Sequence, residues 1–163
     1  MRKKPNKKKD TIFSEPMKIA DFKFDEKVAN VFDDMLNRSI PFYRETQDMA
    51  LRLALNFVKK NTRIYDLGCS TGNIIKRLAK LVDKSVKLIG VDDSPAMLKK
   101  AAEKLRGIDK SRFELCQANI GESAAIKNAS VVFMNYTLQF VSPPHREKLV
   151  REIHDGLVAG GCL

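Results

Sequence analysis

A short apolar run that breaks into a turn and then into a segment of helical period recurs along this chain. Arg63-Ile64-Tyr65-Asp66-Leu67 reads as a strand that runs into Gly68-x-x-x-Gly72. Ile74, Ile75, Leu78, Ala79 and Val82 then fall on one helical face. Val86 to Val91 is a second strand, after which Ser94-Pro95 offers an N-cap and a first-turn proline to a helix lined by Met97, Leu98, Ala101, Ala102 and Leu105. Phe113 to Cys116 is a third strand. Val131 to Met134 is a fourth, an unbroken apolar run of the kind buried on both faces of a sheet. Ser142-Pro143 starts a last helix with Leu149, Val150, Ile153 and Leu157, which Val158-Ala159-Gly160-Gly161 ends. This alternation predicts an α/β fold, a doubly wound parallel sheet. Ligands of such sheets bind beyond the carboxyl ends of the strands, so site residues are sought there.

Upstream, Met49, Ala50, Leu53, Ala54, Phe57 and Val58 predict a helix ending near Lys59-Lys60. Residues 11–43 read as irregular and aromatic-rich, either a capping segment or a lid over a pocket. The expected organisation is a disordered basic tail over 1–9, a lid and helix over 10–60, and a ligand-binding domain over 61–163. The net charge of +10 is mostly the tail's. Residues 1–9 hold six basic and no acidic side chains, and without them 24 basic residues face 20 acidic ones. A solvated tail or weak attraction to a polyanion such as RNA would both fit. No apolar run approaches the ~18 residues of a membrane span, and the basic start is followed by no signal-like apolar stretch, so a cytoplasmic protein is expected. Three cysteines without C-x-x-C spacing suggest neither a disulfide framework nor a zinc site; His145 and His154 are expected at the surface, and no metal is assigned.

The glycine turn is not the G-x-G-x-x-G of dinucleotide enzymes. It suits the looser acidic turn of S-adenosylmethionine enzymes, with Asp66 as the acid and Ser70 in a glycine's place. Glycines let the backbone turn tightly and approach a ligand. Asp92 and Asp93 end the second strand, Asp92 standing 20 residues past Gly72. A carboxylate there can accept both hydroxyls of a ribose, or simply favour the start of the next helix. Asn119-Ile120 lies beyond the third strand, where an adenine edge would sit, or is ordinary loop. Asn135 closes an apolar strand at the switch point and is a site candidate for that reason.

Together, Asp10-Thr11-Ile12-Phe13-Ser14, Phe24-Asp25-Glu26-Lys27-Val28-Ala29, Met35, Arg38-Ser39-Ile40-Pro41-Phe42-Tyr43, Tyr65 to Ser70, Asp93-Ser94-Pro95-Ala96-Met97 and Asn135-Tyr136-Thr137-Leu138-Gln139-Phe140 resemble the carboxy-S-adenosyl-L-methionine synthase family. The resemblance runs from about residue 10 to the end. It implies the Rossmann-like sheet of class I S-adenosylmethionine-dependent methyltransferases, here lacking its C-terminal strands. It implies a bacterial, cytoplasmic, homodimeric transferase that uses S-adenosylmethionine as substrate and prephenate as carboxyl donor, giving carboxy-S-adenosylmethionine and phenylpyruvate. A partner carboxymethyltransferase would use that product on a wobble uridine of tRNA.

By the same resemblance, Tyr43 contacts the cofactor from the lid, and Gly68, Cys69 and Ser70 lie beneath its methionine part. Asp92 takes the ribose, Asp93 lies near the adenosine, Asn119 and Ile120 flank the adenine, and Asn135 faces the sulfonium. Asn119 stands where the family commonly has Asp. The family's fifth strand is expected to begin at the last residues, Gly160-Gly161-Cys162-Leu163, and an arginine for the added carboxylate to lie beyond them, which would leave the fourth strand as an apolar edge. The alternatives are an S-adenosylmethionine-dependent methyltransferase acting on tRNA or a small molecule and, in another class, a non-enzymatic RNA-binding module.

Overall fold

The computed structural model describes residues 24–163; the basic tail and the aromatic residues Phe13 and Phe22 lie outside the described residues. Five strands form one parallel sheet: β1 (Arg63–Leu67), β2 (Lys87–Asp92), β3 (Phe113–Gln117), β4 (Ala129–Phe133) and β5 (Leu157–Cys162). Their order is β3-β2-β1-β4-β5, so the chain winds outward from β1 in one direction and restarts at β4 on the other side. The expected doubly wound sheet is present. Its switch point lies between β1 and β4, where a crevice opens at the strands' carboxyl ends.

Alternation along the strands divides the core in two. Ile64, Leu88 and Val131 face one layer with Leu51, Ile75 and Leu78. Tyr65, Leu67, Ile89, Val91 and Val132 face the other with Leu149 and Ile153. The first layer belongs to α2 (Tyr43–Leu55) and α3 (Asn73–Leu81), the second to α5 (Pro143–Gly156). The helix α4 (Pro95–Lys104) begins where the cap signal placed it, with Ser94 Oγ accepting the Met97 N–H at 3.2 Å.

Three expectations need correction. Residues 11–43 were expected to be irregular, yet Glu26–Ser39 is a helix, α1. Asp25 caps it by accepting the Val28 N–H at 2.9 Å, and Val28, Ala29 and Phe32 pack on Met97 of α4, with Met35 and Leu36 beside them. The next helix, α2, stops at Leu55 and not near Lys59-Lys60, because the Asn56 side-chain amide donates to the carbonyls of Arg52 and Leu53. The last correction concerns the sheet. Val158 to Gly161 does not merely end a helix but lies within β5, paired with β4 through Ala129–Leu157 and Val131–Cys162. A Cβ on Gly161 would stand 3.0 Å from the Ser130 carbonyl, so the glycine that looked like a helix stop is what allows close pairing. The fourth strand therefore has a neighbour on each side, and the exposed apolar edge expected of it is not there.

Among the described residues no helix is long and apolar enough to cross a membrane. His145 and His154 are exposed, as expected.

Candidate functional site

One cavity of 320 Å³ opens at the switch point, and all nine residues proposed from the sequence line it: Tyr43, Gly68, Cys69, Ser70, Asp92, Asp93, Asn119, Ile120 and Asn135. Its floor is the turn after β1. Gly68 and Gly72 have φ of 74° and 75°, a left-handed backbone that costs a glycine nothing. A Cβ on Gly68 would also run into the Thr137 side chain, so the turn and the segment after β4 close on one another. Ser70 takes φ of 48° without being glycine. Its N–H donates to Asp92 Oδ2 at 2.8 Å, which holds the turn against the end of β2.

Asp92 does the second of the two things its position suggested, and its place in the cavity leaves it open to the first. Oδ1 accepts the Ser94 N–H at 3.0 Å, fixing the start of α4, while the carboxylate still lines the cavity. Each carboxylate oxygen keeps a further lone pair for a ligand hydroxyl. Burial raises its pKa, and the Ser94 and Ser70 amides work against that rise. Asp93 beside it is exposed.

Asp66 is the most perturbed acid of the site. It stands one residue before the end of β1, almost fully buried, and burial, with the Asp92 charge adding to it, pushes its pKa up to about 7. Among the described residues no Lys, Arg or His lines the cavity. Three carboxyl groups therefore surround a space to which the described residues bring no positive charge, in a protein whose net charge is +10. A cationic ligand is what such a space lacks.

Cys69 is buried, and burial pushes its thiol far up, so it is a poor nucleophile. Asn119 Oδ1 accepts the Gly121 N–H at 2.9 Å, so the oxygen read as an adenine acceptor already has a local partner. Ile120 is buried against the α5 layer. Asn135 stands out because its Nδ2 is buried with no hydrogen-bond partner. An orphaned donor beside a cavity costs stability until something accepts from it.

The opposite wall is apolar. Phe24 meets Phe32 at 5.9 Å and Phe140 at 5.5 Å between ring centroids, both edge to face. The Ser94 hydroxyl donates to the Phe24 carbonyl at 2.6 Å, tying the start of this wall to α4. Tyr43 lies 6.0 Å from Tyr136, and burial, with the charges of Asp33 and Asp66, raises its hydroxyl to about 12. It is a donor at any physiological pH. Sequence reasoning did not place Gln47 or Thr137 at the cavity. Gln47 was within reach, because it stands one helical turn after Tyr43 on α2; nothing local marked Thr137. Among the described residues no cluster of His, Cys, Asp and Glu is placed to hold a metal ion.

The fold and the switch-point cavity are those of a methyltransferase-like domain. The family described as "Methyltransferase domain" matches residues 64–161, and the chain belongs to it. Within it the chain is similar to the carboxy-S-adenosyl-L-methionine synthase of Methylococcus capsulatus, at 46% identity over 89% of this chain and 61% of that protein. It is 44% identical to the Nitratiruptor protein of the same name, over 95% of this chain and 64% of the relative. The chain thus spans a little under two thirds of the length of these relatives. Its fold matches an S-adenosylmethionine-dependent methyltransferase from Clostridium acetobutylicum with a TM-score of 0.64 at 20% identity, covering 83% of this chain and 54% of the other.

Proposed function

We propose that the cavity binds S-adenosylmethionine and that the chain is part of a transferase converting it, with prephenate, into carboxy-S-adenosylmethionine and phenylpyruvate. The observation that carries the binding is the cavity at the switch point, whose described lining holds three carboxyl groups and no cation. The ligand has a permanent sulfonium charge, an amino group, and ribose hydroxyls to offer them. Asp92 would accept the hydroxyls, Gly68, Cys69 and Ser70 would run beneath the methionine part, and Asp93 would lie near the adenosine. Ile120 would press on the adenine, with Asn119 at its edge. The unpartnered Asn135 Nδ2 would donate to an acceptor near the sulfonium, and Tyr43 would contact the ligand from the lid.

Similarity to the synthases supports the carboxyl chemistry. The sulfonium methyl gives up a proton, and its carbon captures the carboxyl leaving prephenate. The departing hydroxyl takes that proton, so water balances the reaction. In this reading the apolar wall excludes bulk water from the ylide. Prephenate brings two carboxylates, and the cavity's described lining holds no cation for them. We assign that charge to the part of the relatives' length that this chain does not span. The working enzyme would be a cytoplasmic homodimer whose product is passed to a tRNA wobble-uridine carboxymethyltransferase.

The family match favours one other reading, methyl transfer to tRNA or a small molecule. Incubation of the protein, completed to the relatives' length, with S-adenosylmethionine and prephenate separates the two. Mass spectrometry should find the nucleoside gaining one carboxyl group. No gain, together with methyl transfer to tRNA, would replace the synthase reading by the second.

A further inference from the structure

At the rim of the cavity, one polar cluster joins three of the elements around it. Lys104, at the end of α4, sends its three ammonium protons to three acceptors: Asp33 Oδ2 at 2.7 Å, Thr71 Oγ1 at 2.6 Å and Asn73 Oδ1 at 2.6 Å. Asp33 is on α1, whereas Thr71 and Asn73 belong to the glycine turn and the first residue of α3. The cluster closes on itself, because Thr71 Oγ1 donates to Asp33 Oδ1 at 2.6 Å and Asn73 Nδ2 donates to the same oxygen at 2.9 Å. Burial works against both charges. It draws the Lys104 ammonium below its ordinary value, while on Asp33 the donors Lys104, Thr71 and Asn73 outweigh it and hold the carboxyl below its usual value.

Nothing in the proposed reaction uses these residues, yet each sits directly behind a part of the cavity. The residues of α1 around Asp33 are Phe32, Met35 and Leu36, all in the apolar wall. Asn73 itself lines the cavity. Phe32 on Met97, the Ser94 hydroxyl on the Phe24 carbonyl and the exposed Lys99–Glu26 ion pair hold the start of α1 to α4, but none of them fixes its arrangement against the glycine turn. Directional bonds from a saturated ammonium do fix it.

We propose that Lys104, with Asp33, Thr71 and Asn73, is a latch that holds the α1 wall closed against the glycine turn and so sets how long a ligand stays in the cavity. The four are positioning residues. The proposal rests on the cavity being the S-adenosylmethionine site, and it commits to the rate of ligand release as the quantity the latch controls.

The test is the dissociation rate of S-adenosylmethionine from the full chain and from Lys104→Met, Asp33→Ala and the double variant. Thermal midpoints are recorded in parallel, with Ile153→Val, on the buried face of α5, as a control for general destabilisation. Each single latch variant should release the ligand about tenfold faster, and the double variant no faster than either single, because both break one unit. Ile153→Val should lower the thermal midpoint and leave the release rate unchanged. A release rate from Lys104→Met within twofold of wild type, or effects that multiply in the double variant, would overturn the latch. Hydrogen exchange in the ligand-free protein separates this from the reading beneath it. Residues 26–39 should lose protection in Lys104→Met whether or not S-adenosylmethionine binds, and unchanged protection would also overturn the latch. Wild type that fails to bind S-adenosylmethionine while Lys104→Met loses that protection would remove the cavity reading and keep the latch.

Discussion

The two walls of the cavity are built on different principles. The sheet-side wall, from Asp66 through Ser70 to Asp92, is polar, set by backbone turns, and held by bonds such as Ser70 N–H to Asp92. The lid-side wall, from Phe24 through Phe32 and Met35 to Phe140, is apolar and held by ring contacts, one capping hydroxyl and the Lys104 cluster. Charge recognition therefore sits on the part of the molecule that cannot move without breaking the sheet. Exclusion of water sits on a helix that could swing. For the charged ligand proposed here that division would be an advantage, since the fixed wall would keep its carboxyl groups in place whatever the other wall does.

The largest expected effect breaks the sheet-side wall. Gly68→Val places a β-branched residue at φ of 74° and drives a side chain into Thr137. Strain and overpacking together should cost roughly 2–5 kcal/mol of stability, read by denaturant unfolding, and abolish S-adenosylmethionine binding. A variant as stable as wild type would show that the turn is not rigid.

Next is the pH response of Asp66. Its folded pKa of about 7 lies above the ordinary 3.8, so the folded state keeps the proton longer than the unfolded chain does. Stability should therefore fall as pH rises from about 4 to about 7 and level off above that, by at most about 4 kcal/mol from this group. Asp66→Asn should flatten that slope. Affinity for a permanently charged sulfonium should move the other way, rising as Asp66 ionises, and a flat affinity profile would place the sulfonium elsewhere.

Asn135 offers a smaller effect with opposite signs. Replacing a buried, unpartnered amide by Asn135→Leu should stabilise the ligand-free protein by about 1 kcal/mol while weakening ligand binding. Loss of both stability and binding would mean that the amide has a structural partner.

On the lid side, Phe140→Ala removes a half-exposed ring resting edge-on against Phe24, worth about 0.5–1.5 kcal/mol. It should leave the thermal midpoint nearly unchanged and weaken binding a few-fold. An effect as large as that of the turn variant would erase the distinction between the walls.

The sheet-side wall was legible in the sequence because its residues follow strands, and a strand announces both itself and the end at which a ligand sits. Gly68, Cys69, Ser70, Asp92, Asp93, Asn119, Ile120 and Asn135 all come from that logic or from the resemblance, and all line the cavity. The lid was less legible. The helix α1 carries its apolar residues at Val28, Ala29, Phe32, Met35 and Leu36, a helical spacing behind the Asp25 cap, yet the surrounding aromatics made the segment look irregular. The strand β5 was hidden by Gly160-Gly161, a pair that stops helices but here admits a close neighbouring strand. The Lys104 cluster could not be read at all. Asp33, Thr71, Asn73 and Lys104 span 71 residues of chain and meet only through the packing of α1 on α4.

The central claim is that the turn and the Asp92 carboxylate together form an S-adenosylmethionine site. Calorimetric titration of S-adenosylmethionine into wild type and Asp92→Ala tests it most directly. Asp92 would lose both its bond to the ribose and its hold on Ser70, so binding should weaken by at least about tenfold, the worth of one charge-assisted hydrogen bond. Equal affinities for the two proteins would contradict the account.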